Sequence, residues 1–229
     1  MGEKITYGQS EAVEANSSGN KLNYIDYYYF QQVISAENLD RFELSKLFAQ
    51  MARYNTLYMI SRAGSGHLGS SFSSIDIVSF LYLCCLQKED RFFSSKGHDA
   101  PGFYSILLAL GKLDFDLIHK LRRIDGLPGH PDVNTPGIVT NTGSLGMGIS
   151  KAKGIVFTNR LMNFDQNVFV MTGDGELQEG QIWESLISAT NNNLHEITVI
   201  IDHNKLQSDT FLSSVSDLGD LKSKFQSFG

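Results

Sequence analysis

The sequence predicts an α/β domain built as a doubly wound, mostly parallel sheet, and three observations lead there. Two short runs, Val168-Phe169-Val170-Met171 and Ile197-Thr198-Val199-Ile200-Ile201, are apolar almost throughout. That is the pattern of strands buried on both faces of a parallel sheet. A glycine-bearing turn follows the first run, and a helical pattern over 179–189 separates it from the second, as in a βαβ crossover. The 229 residues are 41% hydrophobic and 19% charged, enough for one well-buried domain and short for two.

Residues 1 to about 20 are polar and carry Gly2, Gly8, Ser17, Ser18 and Gly19, which reads as a mobile tail. The segment over 24–30 is too aromatic for a solvated linker and reads as a docking element. Residues 1–38 therefore stand apart from a domain over 39–229. Leu44, Leu47, Phe48, Met51, Tyr54 and Tyr58 recur at three- and four-residue steps and predict a helix over 39–60. A second helix is expected over 73–86, with Ser73 or Ser74 as cap and Asp76 in the first turn. Shorter helical patterns cover 104–110 and 114–123. The glycine-rich run Thr142-Gly143-Ser144-Leu145-Gly146-Met147-Gly148 leads into a helix over 151–157, and a last one is expected over 218–225.

The net charge of -6, with no dense Lys/Arg block, leaves no electrostatic footprint for nucleic acid. No apolar stretch approaches the ~20 residues of a bilayer span. The N-terminus, with Glu3, Glu11 and Glu14, lacks the order of a secretory signal. A cytoplasmic protein without a membrane partner is expected. Cys84 and Cys85 are neighbours in an apolar run and read as reduced core residues.

Gly173-Asp174-Gly175-Glu176 lies directly after the first strand, where open α/β sheets bind ligands. Gly173 and Gly175 allow a tight turn whose N–H groups can face a phosphate. The second strand ends Ile201-Asp202-His203-Asn204-Lys205-Leu206, so Asn204 follows Asp174 by 30 positions, about one βαβ unit. Adjacent parallel strands would set the two side by side. A carboxylate, an amide oxygen and backbone carbonyls suit a hard cation that neutralises a diphosphate. The alternative is local: Asp174 caps the next helix and Asn204 turns the chain.

Three of the six histidines sit in glycine-bearing turns: Ser65-Gly66-His67-Leu68-Gly69, Ser95-Lys96-Gly97-His98-Asp99 and Pro128-Gly129-His130-Pro131-Asp132. Glycine beside histidine gives backbone freedom to aim the ring into a cleft. His119, in a helical pattern, and His195, before a strand, read as structural.

Gly-Asp-Gly followed about thirty residues later by Asn, each after a strand, resembles the thiamine-diphosphate fingerprint. The longer run Gly173-Asp174-Gly175-Glu176-Leu177-Gln178-Glu179-Gly180-Gln181-Ile182-Trp183-Glu184 is similar to the transketolase version, and the likeness extends from about Leu47 to Gly229. The resemblance implies the thiamine-diphosphate-binding fold, here its diphosphate-binding domain. It implies that Asp174, the side chain of Asn204 and the carbonyl of Leu206 hold Mg2+ (or Ca2+ or Mn2+). Gly173 and Gly175 would meet the diphosphate, His98 would contact it, and Gly143, Leu145 and Gly146 would pack on the cofactor. His67 and His130 would serve substrate oxygens and relay protons. The family commonly has proline where Leu68 stands, which implies a divergent branch acting on a different sugar.

The resemblance also implies what must come from elsewhere. The glutamate that activates thiamine belongs to a pyrimidine-binding domain, for which 229 residues leave no room. The chain is thus expected to be the N-terminal subunit of a split transketolase, with Met1 favouring that over a fragment. It would transfer a two-carbon ketol unit between sugars or sugar phosphates as a heterotetramer with a C-terminal subunit. The helix bearing Glu179, Ile182 and Trp183 is the candidate partner surface. Competing readings are a related thiamine-dependent synthase or 2-oxo acid dehydrogenase subunit, and a non-catalytic scaffold that keeps the fold.

Overall fold

The computed structural model describes Val13–Glu14 and residues 21–208 and 210–229. The tail expected over residues 1–20 lies otherwise outside the described residues. The chain opens with β1 (Val13–Glu14) and β2 (Lys21–Leu22), then α1 (Tyr27–Ile34), α2 (Arg41–Ala63) and α3 (Leu68–Phe80). A π-helical turn, Leu81–Cys85, leads to β3 (Arg91–Ser94) and α4 (Ala100–Ala109). After a 3-10 turn, Phe115–His119, come α5 (Gly148–Met162), β4 (Val168–Gly173), α6 (Gly180–Asn191) and β5 (Ile197–Asp202). The short elements β6 (Leu206–Gln207), β7 (Thr210–Phe211), α7 (Leu212–Val215) and α8 (Leu221–Gln226) complete it. The chain divides into two compact units, Met1–Phe80 with Pro101–Leu127, and Leu81–Ala100 with Pro128–Gly229.

The first unit is helical. Asp40 and Glu43 close a capping box at the start of α2, and Gly64, left-handed at φ 71°, ends it. Phe48, Ala49, Ala52 and Met59 on α2 are fully buried. Phe30 of α1 meets Phe48 edge-on at 5.2 Å, and Asn55 pairs with both backbone groups of Ile25 at 2.7 and 2.9 Å. The aromatic segment is thus folded into this unit. The expected second helix begins earlier, at Leu68, so Asp76 lies mid-helix and pairs with Arg53 of α2. The helix expected over 114–123 shrinks to one 3-10 turn, because Arg122 (φ 55°) and Asp125 (φ 58°) turn the chain back. Leu127 then donates its N–H to the Lys120 carbonyl at 3.0 Å.

One expectation on membranes needs correction. Leu68–Cys85, 18 residues of mean hydropathy 1.4, is long and apolar enough to cross a bilayer. Ser71, Ser74, Ile75, Val78 and Ser79 of α3 are buried, and the Arg53–Asp76 pair ties α3 to α2.

The second unit holds the parallel sheet, ordered β3-β4-β5 with β4 central. Strand β3 escapes a periodicity reading because only Phe92 and Phe93 are apolar between polar flanks. Val168 and Val170 pack with Ala152 and Val156 of α5, and Leu186 of α6 packs with Val199 and Ile201 of β5. The expected partner surface is largely internal. Ile182 is fully buried, while Trp183 bonds the Leu177 carbonyl at 2.9 Å and lies against Phe225 and Phe228. Of the three named residues only Glu179 is exposed.

Candidate functional site

Register places the site. Gly173 stands opposite Asp202, and the Asp174 N–H donates to the Asp202 carbonyl at 3.2 Å. Asp174 is 1% exposed. Its Oδ1 accepts the Gly175 N–H at 2.8 Å and its Oδ2 the Lys205 N–H at 2.6 Å. Asn204 Oδ1 accepts the Leu206 N–H at 2.8 Å, which turns the chain into β6. The local roles and the side-by-side placement therefore coexist. A carboxylate offers about four lone-pair directions, so two N–H bonds leave room for a cation. Among the described residues no three His, Cys, Asp or Glu side chains gather. A cation here would rest on Asp174, Asn204 and the Leu206 carbonyl, with phosphate oxygens and water completing its shell. That all-oxygen set fits Mg2+.

Beside this turn lies a buried ion cluster that the sequence reading missed. Lys96 Nζ is 2.7 Å from Asp202 and 3.5 Å from Asp99, and the Ser94 hydroxyl donates to Asp99 at 2.7 Å. The Lys96 stem runs under the turn: a Cβ on Gly173 would lie 3.0 Å from its Cδ. The His98 Nδ1 faces the Lys96 carbonyl at 3.0 Å. A carbonyl only accepts, so Nδ1 carries the proton, and the neutral ring's Nε2 is an acceptor.

His130 joins this corner. Gly97 is left-handed at φ 70°, and a Cβ there would lie 2.9 Å from the His130 ring and 2.6 Å from Thr142 Oγ1. Thr142 in turn donates to the Pro131 carbonyl at 3.1 Å. The His98, His130 and glycine-rich turns thus converge. His67 belongs to the first unit, where it is exposed and its carbonyl accepts the Ser71 N–H and hydroxyl at the start of α3.

Within the glycine-rich turn, Gly143 (φ 116°) and Leu145 are exposed, whereas Gly146 is buried at φ 81°. The Gly146 N–H donates to Glu176 Oε1 at 2.8 Å. Glu176 is 3% exposed, and burial raises its pKa against the opposing hydrogen bonds from Ser95, Gly146 and Gly173. Ser95 and Lys96 had one available signal, the polar Ser94-Ser95-Lys96-Gly97-His98 run, which gains meaning only once β3 is recognised as a strand; Glu176 stood in view in the Gly-Asp-Gly-Glu motif, but its partners did not.

Residues 44–229 match the family profile of the transketolase thiamine diphosphate binding domain. The 6-deoxy-6-sulfo-D-fructose transketolase subunit SqwG of Clostridium sp. (strain MSTE9) is 33% identical, over 79% of this chain and 70% of its own. An apulose-4-phosphate transketolase subunit of Actinobacillus succinogenes is 32% identical, over 84% of this chain and 74% of its own. Among solved structures, transketolase from Leishmania mexicana superposes with a TM-score of 0.73 at 27% identity, covering 79% of this chain. The chain spans 30% of that structure's length.

Proposed function

The chain belongs to the transketolase thiamine-diphosphate-binding family, and on that premise we propose that it is the N-terminal subunit of a split, Mg2+-dependent transketolase. It transfers a two-carbon ketol unit between sugars, most simply sugar phosphates, together with a C-terminal subunit. The placement of Asp174 beside the Asn204 turn, at adjacent strand ends, is the observation that carries the reading. Two relatives of matching extent, one named for a sulfonated fructose and one for apulose 4-phosphate, are themselves subunits.

Thiamine diphosphate, when bound, supplies the carbanion chemistry. Asp174, Asn204 and the Leu206 carbonyl hold the metal that neutralises the diphosphate, and Gly173 and Gly175 bring backbone close to it. His98, fixed by the Lys96 carbonyl, meets a phosphate oxygen best as imidazolium, which donates from both nitrogens. Gly143, Leu145 and Gly146 pack on the cofactor. His67 and His130 donate to substrate oxygens and accept the hydroxyl proton that ketol transfer releases. Two copies of each subunit form the enzyme, in the cytoplasm, where sugar phosphates are made and used.

Calorimetric titration with thiamine diphosphate and Mg2+ tests this. Tight, Mg2+-dependent binding is expected when the C-terminal subunit is present. An absence of binding in that mixture would remove the assignment.

A further inference from the structure

Glu176 is a buried carboxylate to which ketol transfer gives no part. Its oxygens collect donors from three separate segments. Oε1 accepts the hydroxyl of Ser95, after β3, and the N–H of Gly146, ahead of α5, the latter at 2.8 Å. Oε2 accepts the N–H of Gly173, at the end of β4, at 3.2 Å. The Ser95 oxygen in turn accepts the Gly148 N–H at 3.0 Å.

One backbone donor of the first turn of α5, Gly148, and one just ahead of the helix, Gly146, are therefore bonded from inside the protein. A helix start ordinarily attracts phosphate, through free N–H groups and the helix dipole. Here a protein carboxylate, directly and through Ser95, takes that place. The fit is close: a Cβ on Gly148 would lie 2.4 Å from the Ser95 side chain, and one on Gly146 would lie 2.8 Å from Glu179 Cβ. All three partners of Glu176 donate, so a protonated carboxyl would set its O–H against one of them. The contacts are those of a carboxylate.

We propose that Glu176 is a positioning residue for cofactor binding: it fills the anion-attracting start of α5 and locks the Gly146 turn to the Gly173 turn. The diphosphate is thereby left to the Asp174–Asn204 side. This rests on the reading of the chain as a thiamine-diphosphate-binding subunit. Glu176 touches neither cofactor nor substrate, and its effect passes through the two glycine turns.

Glu176→Gln keeps the shape of the side chain but turns an amide NH2 towards one of the donors. In the enzyme assembled with its C-terminal subunit, the Kd for thiamine diphosphate with Mg2+ should rise roughly 10-fold or more, the usual scale for one buried mispaired donor. The kcat at saturating cofactor should stay within about 3-fold, since no group that touches substrate changes. Glu176→Ala should open a site that formate fills. Formate, and not chloride, should then raise the Tm of that variant without cofactor and restore cofactor affinity with it. The proposal is overturned if Glu176→Gln binds cofactor like the parent, or keeps its Kd and loses only kcat. It is equally overturned if formate acts on Glu176→Ala no differently from chloride, which also decides the matter should Glu176→Gln fail to fold. Absence of cofactor binding by the parent enzyme would instead sink the thiamine reading, while the formate effect on Tm would still report on the clamp.

Discussion

The backbone N–H of Lys205 donates to Asp174 Oδ2 at 2.6 Å, so the turn that ends β4 grips the turn that ends β5. The grip gives Asp174 a structural duty beside its proposed metal duty, and the two separate by substitution. Asp174→Asn retains one acceptor for these N–H groups but loses the charge a divalent cation needs. Its NH2 then meets one of the two N–H groups, so it should fold with a lowered Tm and show no Mg2+-dependent thiamine diphosphate binding in the assembled enzyme. Asp174→Ala should lose binding too, with about 1–3 kcal/mol of stability, because the Lys205 N–H loses its partner. Asn204→Ala should weaken binding less, a neutral amide contributing less than a carboxylate. Unchanged affinity in Asp174→Asn would remove the metal assignment.

The Lys96–Asp202 pair lies at 3% and 4% residue exposure, where breaking a pair costs more than never having made one. Lys96→Ala leaves Asp99 and Asp202 buried without that cation and should cost about 3–5 kcal/mol. Denaturant unfolding measures it. Loss below about 1 kcal/mol would show that water reaches the carboxylates.

The sequence revealed β4 and β5 because each is a short, almost wholly apolar run, and α6 because a helical pattern separates them; it revealed Asp174 and Asn204 because glycine and strand end mark them. It hid β3, whose Arg91 and Ser94 break the apolar run, and with it the contacts of Ser95 and Lys96 and the partners of Glu176. These three act through long-range contacts, Lys96 to Asp202 and Ser95 to Glu176, which no local pattern encodes. The partial burial of Trp183 also rests on a long-range contact: its cover, Phe225 and Phe228, arrives from far along the chain.

His119 provides a pH test in the first unit. Burial, then the Arg62 charge, lowers its pKa, and the Tyr58 hydroxyl lies 2.8 Å from its Nδ1. A histidine whose folded pKa is depressed binds its proton more readily when unfolded. Its stabilising share is complete above the unfolded value of about 6.5 and is lost as pH falls through the lower folded value. The Tm should therefore drop as pH falls below about 6.5, and drop less in His119→Gln. Parallel profiles for the two proteins would contradict this.

His130 packs against Gly97 and is assigned to the substrate in the proposed reading, so its loss should spare cofactor binding. In the assembled enzyme His130→Ala should lower ketol transfer roughly 10²- to 10⁴-fold, the range for losing acid–base or oxyanion help. Collapse of cofactor affinity, with turnover preserved at saturation, would show that this histidine serves the cofactor instead.

Assembly gives the last prediction. On the proposed reading the described residues supply a diphosphate side, with the Asp174–Asn204 turns and the histidine corner, and the glutamate that activates thiamine is expected from a partner. Because Trp183 and Ile182 are occupied within the unit, the apolar residues left exposed on α5 and just after it are better placed for an interface. Leu161 is 84% exposed, Met162 58% and Phe164 52%, and such apolar groups on a surface commonly mark contacts. The chain alone should bind cofactor weakly and show no ketol transfer, and adding a C-terminal transketolase subunit should restore both. Light scattering of the mixture should give the mass of two copies of each subunit. Leu161→Asp should shift that mass downwards without changing the Tm of the isolated chain by more than a degree or two. Full turnover by the isolated chain would contradict the two-subunit reading, and an unaltered mass in Leu161→Asp would move the interface elsewhere.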